Sequence, residues 1–94
     1  MELNDVYKEL RRNRLCRNGR DFSVRYLGKD RSYYSVIKAT KTEPSVIVLM
    51  NLYFNLNKQA DAVYDPNSPV INRIQRELNV LSASVMGAVE DRCK

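Results

Sequence analysis

Ninety-four residues make one domain with a modest core, too little chain for a deep catalytic cleft with its own lid. Hydrophobic residues at 44% and the lack of low-complexity tracts argue for a folded chain rather than a disordered one. The formal charge of +5 is unevenly spread: residues 8–41 hold eleven Lys or Arg against Glu9, Asp21 and Asp30, and the chain beyond is near neutral. That distribution suits a polyanion-binding module joined to an assembly or partner element, and equally a plain solubilising surface.

The two cysteines, Cys16 and Cys93, lie near opposite ends without CxxC spacing, and the chain has no histidine. Zinc binding and Cys/His nucleophilic catalysis are therefore not expected. No close carboxylate pair and no phosphate-cradling glycine loop stands in the sequence, since Gly19, Gly28 and Gly87 are scattered. The expectation is a protein that is not an enzyme and carries no metal or cofactor. The opening MELNDVYKELRR has acids where a signal peptide needs bases and no apolar core, so a reduced cytoplasmic setting is expected. The most apolar run, VIVLMNLYFNL at residues 46–56, is too short to span a bilayer and holds two asparagines.

Taken in chain order, Leu3, Val6, Tyr7 and Leu10 have the spacing of one helical face, with acids at the start and bases at the end, which predicts a first helix over residues 2–13. Asn18-Gly19 suits positive φ and marks a chain reversal. A second short helix begins near Arg20 or Asp21, carries Phe22, Tyr26 and Leu27 inward and stops at Gly28. Asp30 caps a third helix, about residues 31–39, that buries Tyr34 and Ile37. Short helix, glycine turn, short helix is the outline of a helix-turn-helix.

Pro44-Ser45 opens a fourth helix with Val46, Leu49, Met50 and Tyr53 at helical spacing, continuing to Leu56. Residues 58–67 lack periodic apolar positions and are expected to be a linker, closing a compact domain over residues 1–57. Ser68-Pro69 then starts a C-terminal helix, residues 68–94. Its Ile71, Ile74, Leu78, Leu81, Val85 and Ala88 alternate spacings of three and four with polar residues between. Such a narrow stripe is made for another helix, either in a second copy of the chain, giving a homodimer through Ile71, Ile74, Leu78, Leu81 and Val85, or in the chain's own first four helices. The fold class expected is all-α, a four-helix helix-turn-helix domain plus this C-terminal helix.

Residues 21–56 resemble the Cro/CI-type (lambda-repressor-like) helix-turn-helix family of small bacterial or phage regulators. The likeness rests on fixed offsets from Gly28: Asp30 as a polar cap, Ser35 as a small residue, Ile37, the Pro44-Ser45 pair and Leu49. Physically, Ser35 would let the third helix cross closely over the second, while Tyr34 and Ile37 anchor it. Lys29 departs from an apolar position of the pattern, Thr40 stands where a loop glycine often follows, and the small residue of the second helix is either Ser23 or Val24. The chain is also similar to a group of small uncharacterised bacterial proteins to which no activity attaches.

The resemblance implies a cytoplasmic transcriptional regulator that inserts its third helix into the major groove of double-stranded DNA. Carried over, the base-reading positions are Arg31, Ser32 and Val36, with Tyr33 added for its place at the helix start. Arg31 offers a bidentate contact to guanine and Val36 a surface for a thymine methyl. Arg20, Arg25, Lys29, Lys38 and Lys41 would neutralise phosphates around the rim. The alternative is a protein-binding adaptor or antiactivator on the same scaffold, using Tyr33, Tyr34 and the C-terminal stripe.

Overall fold

Leu3, Val6 and Leu10 are buried along one side of α1 (Leu3–Arg12) in the computed structural model, which describes residues 2–63, 65 and 67–93. Spacings of three and four put them on one helical face, and Asp5 in the first turn with Arg11 and Arg12 in the last complement the helix dipole. The chain then reverses at Arg14, whose φ is +59°, and not at Asn18-Gly19. Asn18 is instead extended, because its side chain is used as a cap: Oδ1 accepts the backbone N–H of Asp21 at 2.9 Å.

The second helix begins as a single α-helical turn, α2 (Gly19–Asp21), and widens at once into a π-helical segment (Phe22–Tyr26). The backbone N–H of Leu27 reaches back five residues to the carbonyl of Phe22 at 3.1 Å. Phe22, Ser23, Tyr26 and Leu27 face inward. Gly28 ends the helix at φ +66°, and a Cβ there would stand 2.9 Å from the side-chain nitrogen of Asn51. Glycine suits this position on both counts, the left-handed backbone and the close approach of Asn51.

The remaining helices are α3 (Tyr33–Thr40), α4 (Val46–Ala62) and α5 (Pro69–Arg92). Ser45 caps α4 by accepting the N–H of Val48, and Ser68 caps α5 by accepting that of Ile71, each at 3.3 Å, with Pro69 in the first turn. Among the described residues the fold is five helices without a strand, an all-α protein. The apolar run of residues 46–56 is thus helical, as its period predicts. Its buried face, Val48, Leu49, Leu52, Leu56 and Ala60, is rotated from the one the spacing suggests, leaving Met50 and Tyr53 half-buried.

Two expectations are corrected at the C-terminal end. Residues 58–62 are helix, not linker: Ala60 is buried, and the Gln75 side chain of α5 donates to its carbonyl at 3.1 Å, so tertiary contacts hold a segment without local apolar periodicity. The α5 stripe packs within the chain, since α5 lies along α4 in the most extensive helix contact of the fold. Leu78 and Val85 are fully buried there, with Ile74, Leu81 and Ala88 packed partly against the same core and Ile71 half-buried. Leu78 and Val85 are therefore not a free surface for a second copy. The physical reason is that the apolar face of α4 is wider than the first three helices cover, and α5 completes its burial.

Candidate nucleic-acid interface

Ser23 sets the approach of the second helix to α3. It is fully buried, its hydroxyl donates to the carbonyl of Gly19 and accepts the backbone N–H of Tyr34, both at 2.9 Å. A Cβ at Gly19 would lie 3.3 Å from the Tyr34 ring, so the crossing is close. Of the two residues open for the small inward position, Ser23 occupies it and Val24 is exposed. Ser35 is exposed, so the close crossing depends on Gly19 and Ser23, not on Ser35 as expected.

Inside this crossing, Tyr7, Phe22 and Tyr34 form an aromatic cluster with ring centroids 5.0–5.3 Å apart, Phe22 and Tyr34 meeting edge to face. The Tyr34 hydroxyl donates to Asn4 Oδ1 of α1 at 3.1 Å. On the far side of the second helix, Asn51 and Asn55 of α4 donate to the carbonyls of Leu27 and Tyr26 at 3.1 and 3.0 Å. These satisfy carbonyls that the helix end leaves without partners. The signal for them was a pair of asparagines four residues apart inside an apolar helix.

With Tyr34 and Ile37 turned inward, α3 presents Ser35, Val36 and Ala39 to solvent, and Ser32 stands exposed just ahead of it. No charged side chain interrupts that face, and Val36 is 53% exposed. Helix α3 begins two residues later than expected, so Arg31 and Ser32 lie in the turn before it. Asp30 makes that turn: its carboxylate accepts both the N–H and the hydroxyl of Ser32, at 3.0 and 2.8 Å. The Ser32 hydroxyl bond, then the Ser32 N–H, hold the Asp30 carboxyl below its ordinary range. Ser32 has given its only hydroxyl proton to Asp30 and offers a ligand an acceptor alone.

The cations expected to meet phosphates around this face are differently engaged. Arg20 and Arg31 are exposed and make no ion pair with any described residue. The Lys29 ammonium lies 5.8 Å from the centroid of half-buried Tyr33, and that of Lys38 lies 5.9 Å from the Tyr34 centroid. Lys41 ends α3 in the left-handed region at φ +55°, one residue beyond the position where the resembled pattern has glycine. Arg25, expected with the phosphate set, is engaged elsewhere: it pairs with Asp21 at 3.1 Å, donates to the Leu15 carbonyl and lies over the Tyr26 ring. Its i,i+4 spacing from Asp21 explains the pairing.

The surface expected for a protein partner is largely internal, because Tyr34 is only 4% exposed and the α5 stripe faces α4. Exposed apolar side chains stand elsewhere, notably Ile47 and Phe54, seven residues apart on one face of α4 at 70% and 60%. Among the described residues no group of histidine, cysteine or acidic side chains is placed to hold a metal. No helix among them is long and apolar enough to cross a membrane.

Fold and surface together define a small all-α protein whose third helix turns an uncharged face to solvent. The chain belongs to the family described as "Family of unknown function (DUF6626)", whose profile matches residues 3–94. No match was found among curated proteins or among solved structures.

Proposed function

We propose that this protein is a non-enzymatic, double-stranded-DNA-binding transcriptional regulator that lays α3 in the major groove. The observation that carries the reading is the exposed, uncharged face of Ser32, Ser35, Val36 and Ala39, with exposed Lys29, Arg31, Lys38 and Lys41 within or next to α3 in the chain and exposed Arg20 on α2. Small neutral residues let a helix approach base edges, while cations at its borders meet the two phosphate backbones. Arg31 is the base-reading cation in this scheme, Val36 an apolar contact, Ser32 an acceptor for a base amino group, and Lys41 a phosphate contact. Arg25 stays with Asp21. The two free cysteines belong with a reducing cytoplasmic setting. Homodimerisation is not part of the proposal, since its expected surface is spent within the chain.

Selection of a binding site from a random DNA pool, followed by isotherms on the selected and a scrambled site at several salt concentrations, tests the reading. Arg31→Ala should weaken binding to the selected site by about 1–3 kcal/mol and relax preference at one base pair. Lys41→Ala should weaken both sites alike and lower the log-log salt slope by about one. Affinity no better than about micromolar at low salt for any sequence would sink the proposal. A second reading, a protein-binding adaptor, is favoured by Ile47 and Phe54 on α4; there, replacing both by polar residues abolishes partner binding and salt has little effect.

A further inference from the structure

We infer that the groove between α1, α3 and the C-terminal end of α5 is a binding site for a small amphipathic monocarboxylate, an aliphatic chain ending in one carboxylate. It encloses about 630 Å³ and draws its walls from parts of the chain far apart in sequence. Its apolar lining comes from Leu3, Ile37, Leu49 and Ala88, one residue from each of four helices. The wall is tied at one side, where Arg92 donates to the Pro44 carbonyl at 2.6 Å and stands 3.9 Å from Glu43. Most of the remaining lining is polar or charged, so the groove sets an aliphatic patch beside a charged rim, which suits a ligand with one apolar and one charged end.

The polar end of the ligand follows from the donors that line the groove. Tyr34 donates to Asn4 Oδ1, which leaves the Asn4 side-chain nitrogen as the donor without a described partner, and the Lys38 ammonium stands over the same tyrosine ring. Lys41 lies on the groove as well, and neither lysine makes an ion pair with a described residue. An amide N–H and two ammonium groups are what a carboxylate takes, through charge-assisted hydrogen bonds. Glu2 and Asp91 also line the groove, and Glu43 is opposite Arg92, so the rim carries nearly balanced charge. That balance favours one negative charge over the two of a phosphate monoester. The groove's ligand is inferred without the DNA reading, and Lys38 and Lys41 figure in both.

Titration of the full ¹⁵N-labelled chain with sodium octanoate, without DNA, followed by heteronuclear NMR, tests the inference. The expected result is saturable shifts confined to the amides around Asn4, Lys38, Lys41 and Ala88, with 1-octanol binding more weakly than octanoate. Lys38→Gln, at an exposed position that leaves the core untouched, should weaken octanoate by about tenfold, the loss of one charge-assisted bond, and leave octanol unchanged. Ala88→Phe should block both ligands by filling the apolar end. Non-saturating shifts spread over Ile47, Phe54 and Val80, or equal affinity for octanol and octanoate in the unaltered chain, would overturn it.

Discussion

Ser23 is a polar residue at a position where a core would ordinarily hold a carbon side chain, and its two hydrogen bonds explain why. Its hydroxyl is the acceptor for the N–H of Tyr34, a donor in the first turn of α3 that the helix itself cannot satisfy. Ser23→Ala should therefore destabilise the chain by about 1–3 kcal/mol, the penalty of leaving a buried donor unpaired. Urea denaturation checks it, and a change below about 0.5 kcal/mol would show that the N–H finds another partner. Cys16 makes a second residue-scale prediction. Burial first, and the neighbouring Asp21 carboxylate next, push its thiol from 9.0 up to about 11. A thiol reagent at neutral pH should label exposed Cys93 in the native chain and reach Cys16 only after unfolding. As pH rises above 9.0 the unfolded chain releases the Cys16 proton while the folded chain keeps it, so stability falls until about pH 11 and then levels. Cys16→Ala removes that part of the loss, and Tyr26, pushed by burial from 10.0 to about 12, leaves a further decline at higher pH.

Among the elements, α4 and α5 show where sequence periodicity stops informing. A repeat of three and four fixes the side of α5 that must be covered. It carries no information on what covers it, because apolar burial is non-directional. Burial centres on Leu78, Ser82, Val85 and Val89, turned slightly from the stripe read in the sequence, since α5 packs on α4 of its own chain. The consequence is testable: Leu78→Asp buries a charge in the chain's own core and should unfold it, whereas exposed Val80→Asp should change stability by no more than about 0.5 kcal/mol. Circular dichroism melts distinguish this from a subunit contact, for which Leu78→Asp yields a folded monomer. The second helix carries the other element-scale lesson. Its Gly28 stop is legible, whereas its Asn18 cap, read as part of a chain reversal, and its π-helical turn are not.

At the scale of the whole molecule, the division into a domain, a linker and an added helix gives way to one continuous core. Leu49, Leu52 and Leu56 of α4 are buried in one core cluster with Leu3, Val6 and Leu10 of α1 and Leu78 and Val85 of α5. A fragment of residues 1–67 should accordingly lack cooperative unfolding and amide dispersion, since it exposes most of that face and has little core left. A dispersed spectrum from the fragment would restore the separate domain.

The sequence by itself determined the all-α class, the helix starts at Ser45 and Ser68, the turn at Gly28, and the inward placement of Phe22, Leu27, Tyr34 and Ile37. These are local matters, decided by caps, by permitted backbone angles and by the 3.6-residue period. It also had Ser32 and Val36 on the outer side of α3, whereas Ser35, expected at the crossing with the second helix, is exposed, and Tyr33, expected to be open at the helix start, is half-buried. Only the tertiary structure decided that α4 continues to Ala62, that Asn51 and Asn55 finish the second helix, and that the α5 stripe is internal. Each of these depends on which surfaces meet across tens of residues, as Gln75 meets Ala60 and Arg92 meets Pro44, and no local pattern encodes a meeting of that kind.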